Sequence, residues 1–228
     1  MRRVLITGPA RSGTTLLLLI SRFFSDCYAY VDCERHPLHN NPPSNAKYTI
    51  IKHPYGYDEF KPRYCVEGLL QDNWRVIMMM RDPRDTLVSY NAKEKDRGHY
   101  WCKPESWLRS AKTFKQHYVW SQVLEQLPSD QTFYGVFYED LVEFPHVEIK
   151  KIAIWLGVKL KPEWEDFYAN ESAKKWKTLN GARPIDTKSI GAWKDPKHYD
   201  YLRKVITPEM IDLAIELGYD DDWDILFP

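Results

Sequence analysis

Short apolar runs alternate with longer amphipathic stretches along this chain, and turn residues punctuate the joins. Residues 3–6 are apolar and stop at Thr7-Gly8, and a helical pattern follows over about residues 14–24. A second short strand over residues 28–31 enters a loop rich in His, Asn and Pro, residues 36–44. A third run, residues 48–52, stops at His53-Pro54. Residues 75–80 give the clearest strand: an unbroken Val-Ile-Met-Met-Met run suits a strand covered on both faces. Asp82-Pro83 then reads as an N-cap acid with proline at the first helical position, opening a helix to about residue 94. A longer helical region covers residues 105–126, a strand covers residues 132–138, and helices cover 147–156 and 208–217. Gly157 and Gly218 stand where C-terminal caps belong.

No repeat interrupts this order. Four or five strands alternating with helices predict an α/β three-layer sandwich with a central, mostly parallel sheet. Ligands in such sheets bind beyond the carboxyl ends of the strands, so the residues after Ile6, Val31, Lys52 and Met80 carry the interest.

Composition narrows the function classes. The chain has 228 residues and a mass of 27.1 kDa, the size of one domain spanning residues 1–228. Lys and Arg number 32 against 32 Asp and Glu, which argues against sequence-blind nucleic-acid binding but leaves room for a local cationic pocket. The four cysteines, Cys27, Cys33, Cys65 and Cys102, include no CxxC pair, which speaks against a disulfide scaffold or a structural zinc site. The longest aliphatic run, residues 16–20, is far short of the roughly 20 residues that cross a bilayer. No export signal follows Met1-Arg2-Arg3. A soluble, cytoplasmic chain without a membrane anchor is expected.

Two segments carry chemistry. Gly8-Pro9-Ala10-Arg11-Ser12-Gly13-Thr14-Thr15 follows a strand and opens a helix with the glycine spacing of a P-loop. Backbone N–H groups and the positive helix end hold an anion there, and small residues let it approach. Thr14 stands where nucleotide-hydrolysing P-loops carry lysine, and Arg11 supplies a cation inside the loop instead. A triphosphate site also needs magnesium held by an acid at a strand end, and the best strand here ends in Arg81. An anionic donor handled without metal is the reading. The second segment, Arg81-Asp82-Pro83-Arg84-Asp85-Thr86-Leu87-Val88-Ser89, pairs a guanidinium with a hydroxyl about two turns into the helix, a set that suits a phosphate monoester.

Together the segments resemble the sulfotransferases that use 3′-phosphoadenosine 5′-phosphosulfate (PAPS). The first is similar to that family's 5′-phosphosulfate loop, R/K-S-G-T-T, and the second to its 3′-phosphate motif, R-D/N-P-x-D-x-x-x-S. Tyr138-Glu139-Asp140-Leu141 resembles the family's Y-E-D-L, and the segment from Lys188 and Ser189 to Trp193-Lys194 resembles its late cofactor loop. Leu217-Gly218-Tyr219 resembles its C-terminal ending. Departures exist: Arg11 stands where many members have Lys, and Leu16 replaces an aromatic common after T-T.

The resemblance implies a metal-independent transfer of a sulfuryl group from PAPS to a hydroxyl or amine, leaving adenosine 3′,5′-bisphosphate (PAP). The donor would be bound by Gly8, Pro9, Ala10, Arg11, Ser12, Gly13, Thr14 and Thr15, by Arg81 and Ser89, and by Tyr138, Arg183, Lys188 and Ser189. Arg11 would act as cation at the 5′-phosphosulfate, with Lys52 assisting. A hydroxyl acceptor needs a base. His53 leads, since Lys52-His53-Pro54 resembles the family's K-T-H shortened by one residue; Glu34, and after it Asp32, is the alternative. Neighbours on a strand point to opposite faces, so only one of Lys52 and His53 is expected in the site. Tyr55, Tyr57, Phe60, Tyr100, Trp101 and Trp107 are candidates to line the acceptor pocket or to pack the core. The expected acceptor is a small molecule, carbohydrate or peptide, and the expected assembly a monomer or homodimer. A P-loop small-molecule kinase and a catalytically inactive nucleotide-binding protein are the competing readings.

Overall fold

The apolar runs form one sheet. In the computed structural model, residues 2–30, 46–53, 66–89, 102–123, 132–169, 183–219 and 221–228 are described. Five parallel strands, β1 (Arg2–Thr7), β2 (Cys27–Ala29), β3 (Tyr48–Lys52), β4 (Arg75–Met80) and β5 (Phe133–Phe137), lie in the order β2-β3-β1-β4-β5. Between them run α1 (Thr14–Ser21), α2 (Val66–Gln71), α3 (Pro83–Val88) and α4 (Pro104–Val123). After β5 come α5 (Tyr138–Glu143), α6 (Pro145–Leu156), a 3-10 segment Pro162–Ala169, α7 (Tyr199–Val205) and α8 (Pro208–Glu216).

Strand alternation divides the interior into two apolar layers. Val4, Ile6, Tyr48, Ile50, Ile77, Met79 and Val136 face one way, against Leu17 and Leu18 of α1 and Ile149 and Ile152 of α6. Leu5, Ile51, Val76, Met78 and Met80 face the other, against Leu87, Trp107, Phe114 and Leu213. Both faces of β4 are therefore buried, as its unbroken run requires. Each fully buried aliphatic side chain contributes roughly 1.5–3 kcal/mol, so Met78→Ala or Ile77→Ala would cost at least that much. Arg75 opens this strand while buried, because its Nη1 donates to the Trp155 carbonyl at 2.6 Å and its guanidinium lies 5.0 Å over the Trp155 ring.

The differences from expectation lie at element ends and in short helices. The helix after Asp82 stops at Val88, and Ser89 is its cap with φ −65 and ψ 117, so Ser89 does not sit two turns inside a helix. Its amide closes the last turn on the Thr86 carbonyl at 3.4 Å while Arg11 Nε donates to its hydroxyl at 3.1 Å. β5 ends at Phe137, and Tyr138 already belongs to α5. The second strand ends at Ala29, and the expected residue 31 lies outside the described residues. α2, α5 and α7 are only six or seven residues long, too short to leave a periodic signal. Gly157 and Gly218 do close their helices, with φ of 63 and 90. Among the described residues no helix is long and apolar enough to cross a membrane.

Candidate active site

At the carboxyl end of β1 the backbone makes room for an anion. Gly8 has φ 142, and a Cβ there would stand 2.2 Å from the Met79 carbonyl oxygen. Gly13 has φ 90, and its Cβ would meet Tyr138 Cδ2 at 2.6 Å. Both positions admit glycine alone. Arg11 between them is itself left-handed at φ 74, an uncommon conformation for a long side chain and one that clusters at functional sites. Ser12 braces the turn by donating its hydroxyl proton to the Pro9 carbonyl at 2.8 Å. The loop then enters α1, whose N-cap Gly13 supplies no side-chain cap and whose first turn carries no acid. Its end amides and dipole are left for an anion.

Lys52 reaches this loop. It is buried, and its Nζ donates to Thr15 Oγ1 at 2.8 Å. It shares the face of Tyr48 and Ile50, so by alternation His53 belongs to the other face. His53 still extends the ladder, its amide donating to the Ile6 carbonyl at 3.0 Å, and its side chain is half-buried at the sheet edge.

Arg81 follows β4 and is 5% exposed. Its Nη1 donates to the Arg11 carbonyl at 3.0 Å and its Nη2 to the Ser189 carbonyl at 2.5 Å. Its guanidinium lies 4.4 Å over the Tyr138 ring, the same ring for which Gly13 makes space. The Nε–H is buried and has no hydrogen-bond partner. An orphaned charged donor is costly in a protein interior, and an incoming anion would satisfy it. Burial first, and then the neighbouring Arg81, lowers the pKa of Arg11. Two guanidiniums this close repel, and an anion between them would relieve the repulsion.

The structure thus brings Arg11, Arg81, Ser89, Tyr138 and Ser189 together, with Lys52 on the flank. Arg183 is exposed, 3.4 Å from the Ser189 hydroxyl and 3.5 Å from Asp186. Lys188 is exposed, with its amide on the Asp186 carboxylate at 3.1 Å. Trp107 is fully buried with its indole N–H on the Arg81 carbonyl at 3.0 Å, so it buttresses Arg81 and does not line an acceptor pocket. Glu34, Asp32, Tyr55, Tyr57, Phe60, Tyr100 and Trp101 lie outside the described residues, as do Cys33 and Cys65.

Beyond the Asp82 cap that the sequence predicted, a layer of supporting groups went unread. Asp82 caps α3 through the Arg84 amide at 2.7 Å and pairs with the Arg84 guanidinium, which is stacked between Trp193 and Trp223 at 4.3 Å from each. Glu139 accepts from the Asp82 amide at 3.0 Å and from the Tyr219 hydroxyl at 3.2 Å. Burial pushes the Glu139 carboxyl up to about 7, with the amide of Asp82 opposing that shift. Arg84 and Glu139 stood inside recognised motifs, but nothing in their spacing names partners so far along the chain.

A parallel α/β sheet with a glycine loop on its first strand and two converging arginines defines an anion-binding site at the carboxyl ends of the strands. The family match is direct: the model of the sulfotransferase domain matches residues 1–205, and the chain belongs to that family and is a PAPS-dependent sulfotransferase. No curated protein sequence matches it. Among solved structures it is similar to the sulfotransferase domain of the Synechococcus PCC 7002 olefin synthase, with TM-score 0.61 and 16% identity over 97% of this chain and 96% of the other. The sulfotransferase domain from the curacin biosynthetic pathway gives TM-score 0.54 and 15% identity over 95% and 97%. Mouse sulfotransferase SULT7A1, solved with PAP, gives TM-score 0.58 and 16% identity over 96% and 87%. At such identities these likenesses establish the shared fold.

Proposed function

We propose that the glycine loop and the Arg81 region are two seats for one donor, the loop taking the 5′-phosphosulfate and Arg81 with Ser89 taking the 3′-phosphate of PAPS. The orphaned Arg81 Nε, one guanidinium away from Arg11, is the observation that carries this reading. The cradle that a Cβ at Gly8 or Gly13 would fill fits a phosphate approached by backbone amides. Arg183, Lys188 and the Ser189 hydroxyl extend the second seat from the late loop, and Tyr138 supports it through the face of its ring. An arginine at the end of β4, where metal-dependent transferases place an acid, supports transfer without a metal ion.

When bound, PAPS supplies an activated sulfuryl group with a phosphate leaving group. Arg11, from within the loop, and Lys52, reaching it from β3, would stabilise the charge that grows on the bridging oxygen. The acceptor hydroxyl would form its S–O bond as the bond from sulfur to the 5′-phosphate oxygen breaks, releasing PAP. His53 takes the hydroxyl proton. Lys52 holds the loop-facing position of the pair, so His53 would act on the acceptor from the end of β3, outside the glycine loop. Glu34 is the other candidate base. The acceptor is a small molecule, carbohydrate or peptide, and the enzyme is cytoplasmic, a single domain over residues 1–228, working as monomer or homodimer.

Calorimetric titration of PAP with and without magnesium, on wild type and Arg81→Ala, tests the donor assignment. Metal-independent binding that the substitution weakens at least about a hundredfold is expected, the size of a lost charge-assisted contact. ATP binding as tightly as PAP would favour a kinase. His53→Ala and Glu34→Ala identify the base: the right one lowers turnover at least about tenfold, and no loss in either overturns both.

A further inference from the structure

Asp85 has no place in the chemistry above, yet it is among the most buried charged residues, at 1% exposure. Its carboxylate accepts two backbone hydrogen bonds from the same distant loop: Gly191 N–H to Oδ2 at 2.8 Å and Trp193 N–H to Oδ1 at 3.0 Å. These contacts span 106 and 108 positions of sequence. Gly191 adopts φ 71, which turns the chain so that both amides meet one carboxylate. Trp193 is buried beneath the Arg84 guanidinium, which is itself held by Asp82 and donates from Nη1 to the Asp221 carbonyl at 2.5 Å.

The loop that Asp85 holds is the one that places Ser189. Two residues before Gly191, the Ser189 carbonyl accepts from Arg81 Nη2 at 2.5 Å. With Nη1 on the Arg11 carbonyl, two of the five guanidinium N–H groups are fixed, and a planar group fixed at two points has a fixed plane. That plane determines where Nε–H points. Remove the anchor at Asp85, and the Ser189 carbonyl is free to leave, after which Arg81 can rotate about its long side chain.

We propose that Asp85 is a positioning residue for donor selectivity: by clamping the Gly191 and Trp193 amides it holds the Ser189 carbonyl on Arg81 and so aims Arg81 at a 3′-phosphate. This rests on the 3′-phosphate assignment of Arg81. The consequence is specific. Loss of the clamp weakens ligands in proportion to their use of that phosphate, while the glycine loop keeps its Gly8 and Gly13 backbone turns and stands to lose only the Arg81 contact at the Arg11 carbonyl.

The test compares PAP with adenosine 5′-monophosphate by calorimetry on wild type and Asp85→Asn, with amide exchange at Gly191 and Trp193 followed by NMR. Wild type is expected to prefer PAP by about a hundredfold. In Asp85→Asn, PAP binding falls at least about tenfold, adenosine 5′-monophosphate stays within about twofold, and the two loop amides exchange faster while those of β4 stay protected. A wild type without preference for PAP sinks the 3′-phosphate assignment itself. A wild-type preference that Asp85→Asn leaves intact sinks the positioning role alone, as does equal weakening of both ligands together with lost protection in β4. Gly191→Ala attacks the clamp from the other end if Asp85→Asn fails to fold. Its Cβ would meet only the Lys194 side chain at 3.8 Å, so the strain stays in the left-handed φ. It should lower PAP affinity severalfold and spare the monophosphate, and an unchanged PAP affinity overturns the proposal.

Discussion

Between Gly8 and Thr15 the backbone of the anion seat is local: two positive-φ glycines, a left-handed arginine and the open end of α1, all within eight residues. The Arg81 seat is assembled from far away, with partners 70 positions off in Arg11 and 108 off in Ser189. The local seat carries Arg11 within the loop, with Lys52 reaching it from β3 through Thr15. The long-range seat stands on carboxylates: Asp82 and Asp85, both less than a tenth exposed, and the half-buried Glu139. One seat is a property of a turn and the other a property of the finished fold. The first should therefore fail through backbone strain, and the second through lost tertiary contacts or a change of pH.

Gly8→Ala is the harshest way to break the local seat. A Cβ 2.2 Å from a backbone carbonyl cannot be absorbed by a rotamer change, and the sheet itself must shift. A loss of about 4 kcal/mol or more in denaturant unfolding is expected, with donor binding abolished.

Acidity separates the seats next. The Glu139 carboxyl is pushed up to about 7 in the fold from an ordinary value of 4.5, so the folded chain keeps a proton that the unfolded chain releases in that interval. Stability therefore falls as pH rises from about 4 to 7, by about 3 kcal/mol from this group, and levels above it. Asp82, Arg81, Tyr219 and Asp140 are the charged and titratable groups around it. Asp85 is also raised by burial and contributes in the same sense. Glu139→Gln keeps an acceptor for the Asp82 amide and a partner for the Tyr219 hydroxyl, and should flatten most of this slope in urea titrations run at several pH values. An unchanged slope would remove Glu139 from the account.

Arg81→Ala comes next, since it empties the long-range seat and takes from the glycine loop only the contact at the Arg11 carbonyl. Its predicted cost, at least about a hundredfold in PAP affinity, corresponds to about 2.7 kcal/mol. Ser89→Ala is milder. It removes the contact between the two seats, Arg11 Nε to Ser89 Oγ, and should weaken PAP about threefold to tenfold in the same titration, the worth of one hydrogen bond. A hundredfold loss from Ser89→Ala would mean that the hydroxyl carries more of the phosphate than Arg81 does.

The same contrast explains what was legible in the sequence. β3 and β4 are found with the bounds their apolar runs predict, and the glycine loop was readable because its geometry is local. Strand alternation also anticipated that Lys52 and His53 would part, though only the Thr15 contact says which of them meets the loop. The end of α3 at Val88 was not readable, because Thr86-Leu87-Val88 continues a helical pattern and the stop comes with Arg11 holding Ser89 from another element. Trp107 read equally as a pocket aromatic or as core packing, and only its place under the Arg81 carbonyl reveals a buttress. Asp85 carries no sign in the sequence that its partners are backbone amides over a hundred residues later.

A crystal structure with PAP bound would decide the central claim that the two seats grip one molecule. The account predicts the 5′-phosphate on the backbone amides between Gly8 and Thr15 with Arg11 beside it, and the 3′-phosphate within hydrogen-bond distance of Arg81 Nε and Ser89 Oγ. A complex in which either seat is empty, or in which the two phosphates bind elsewhere on the sheet edge, would contradict it.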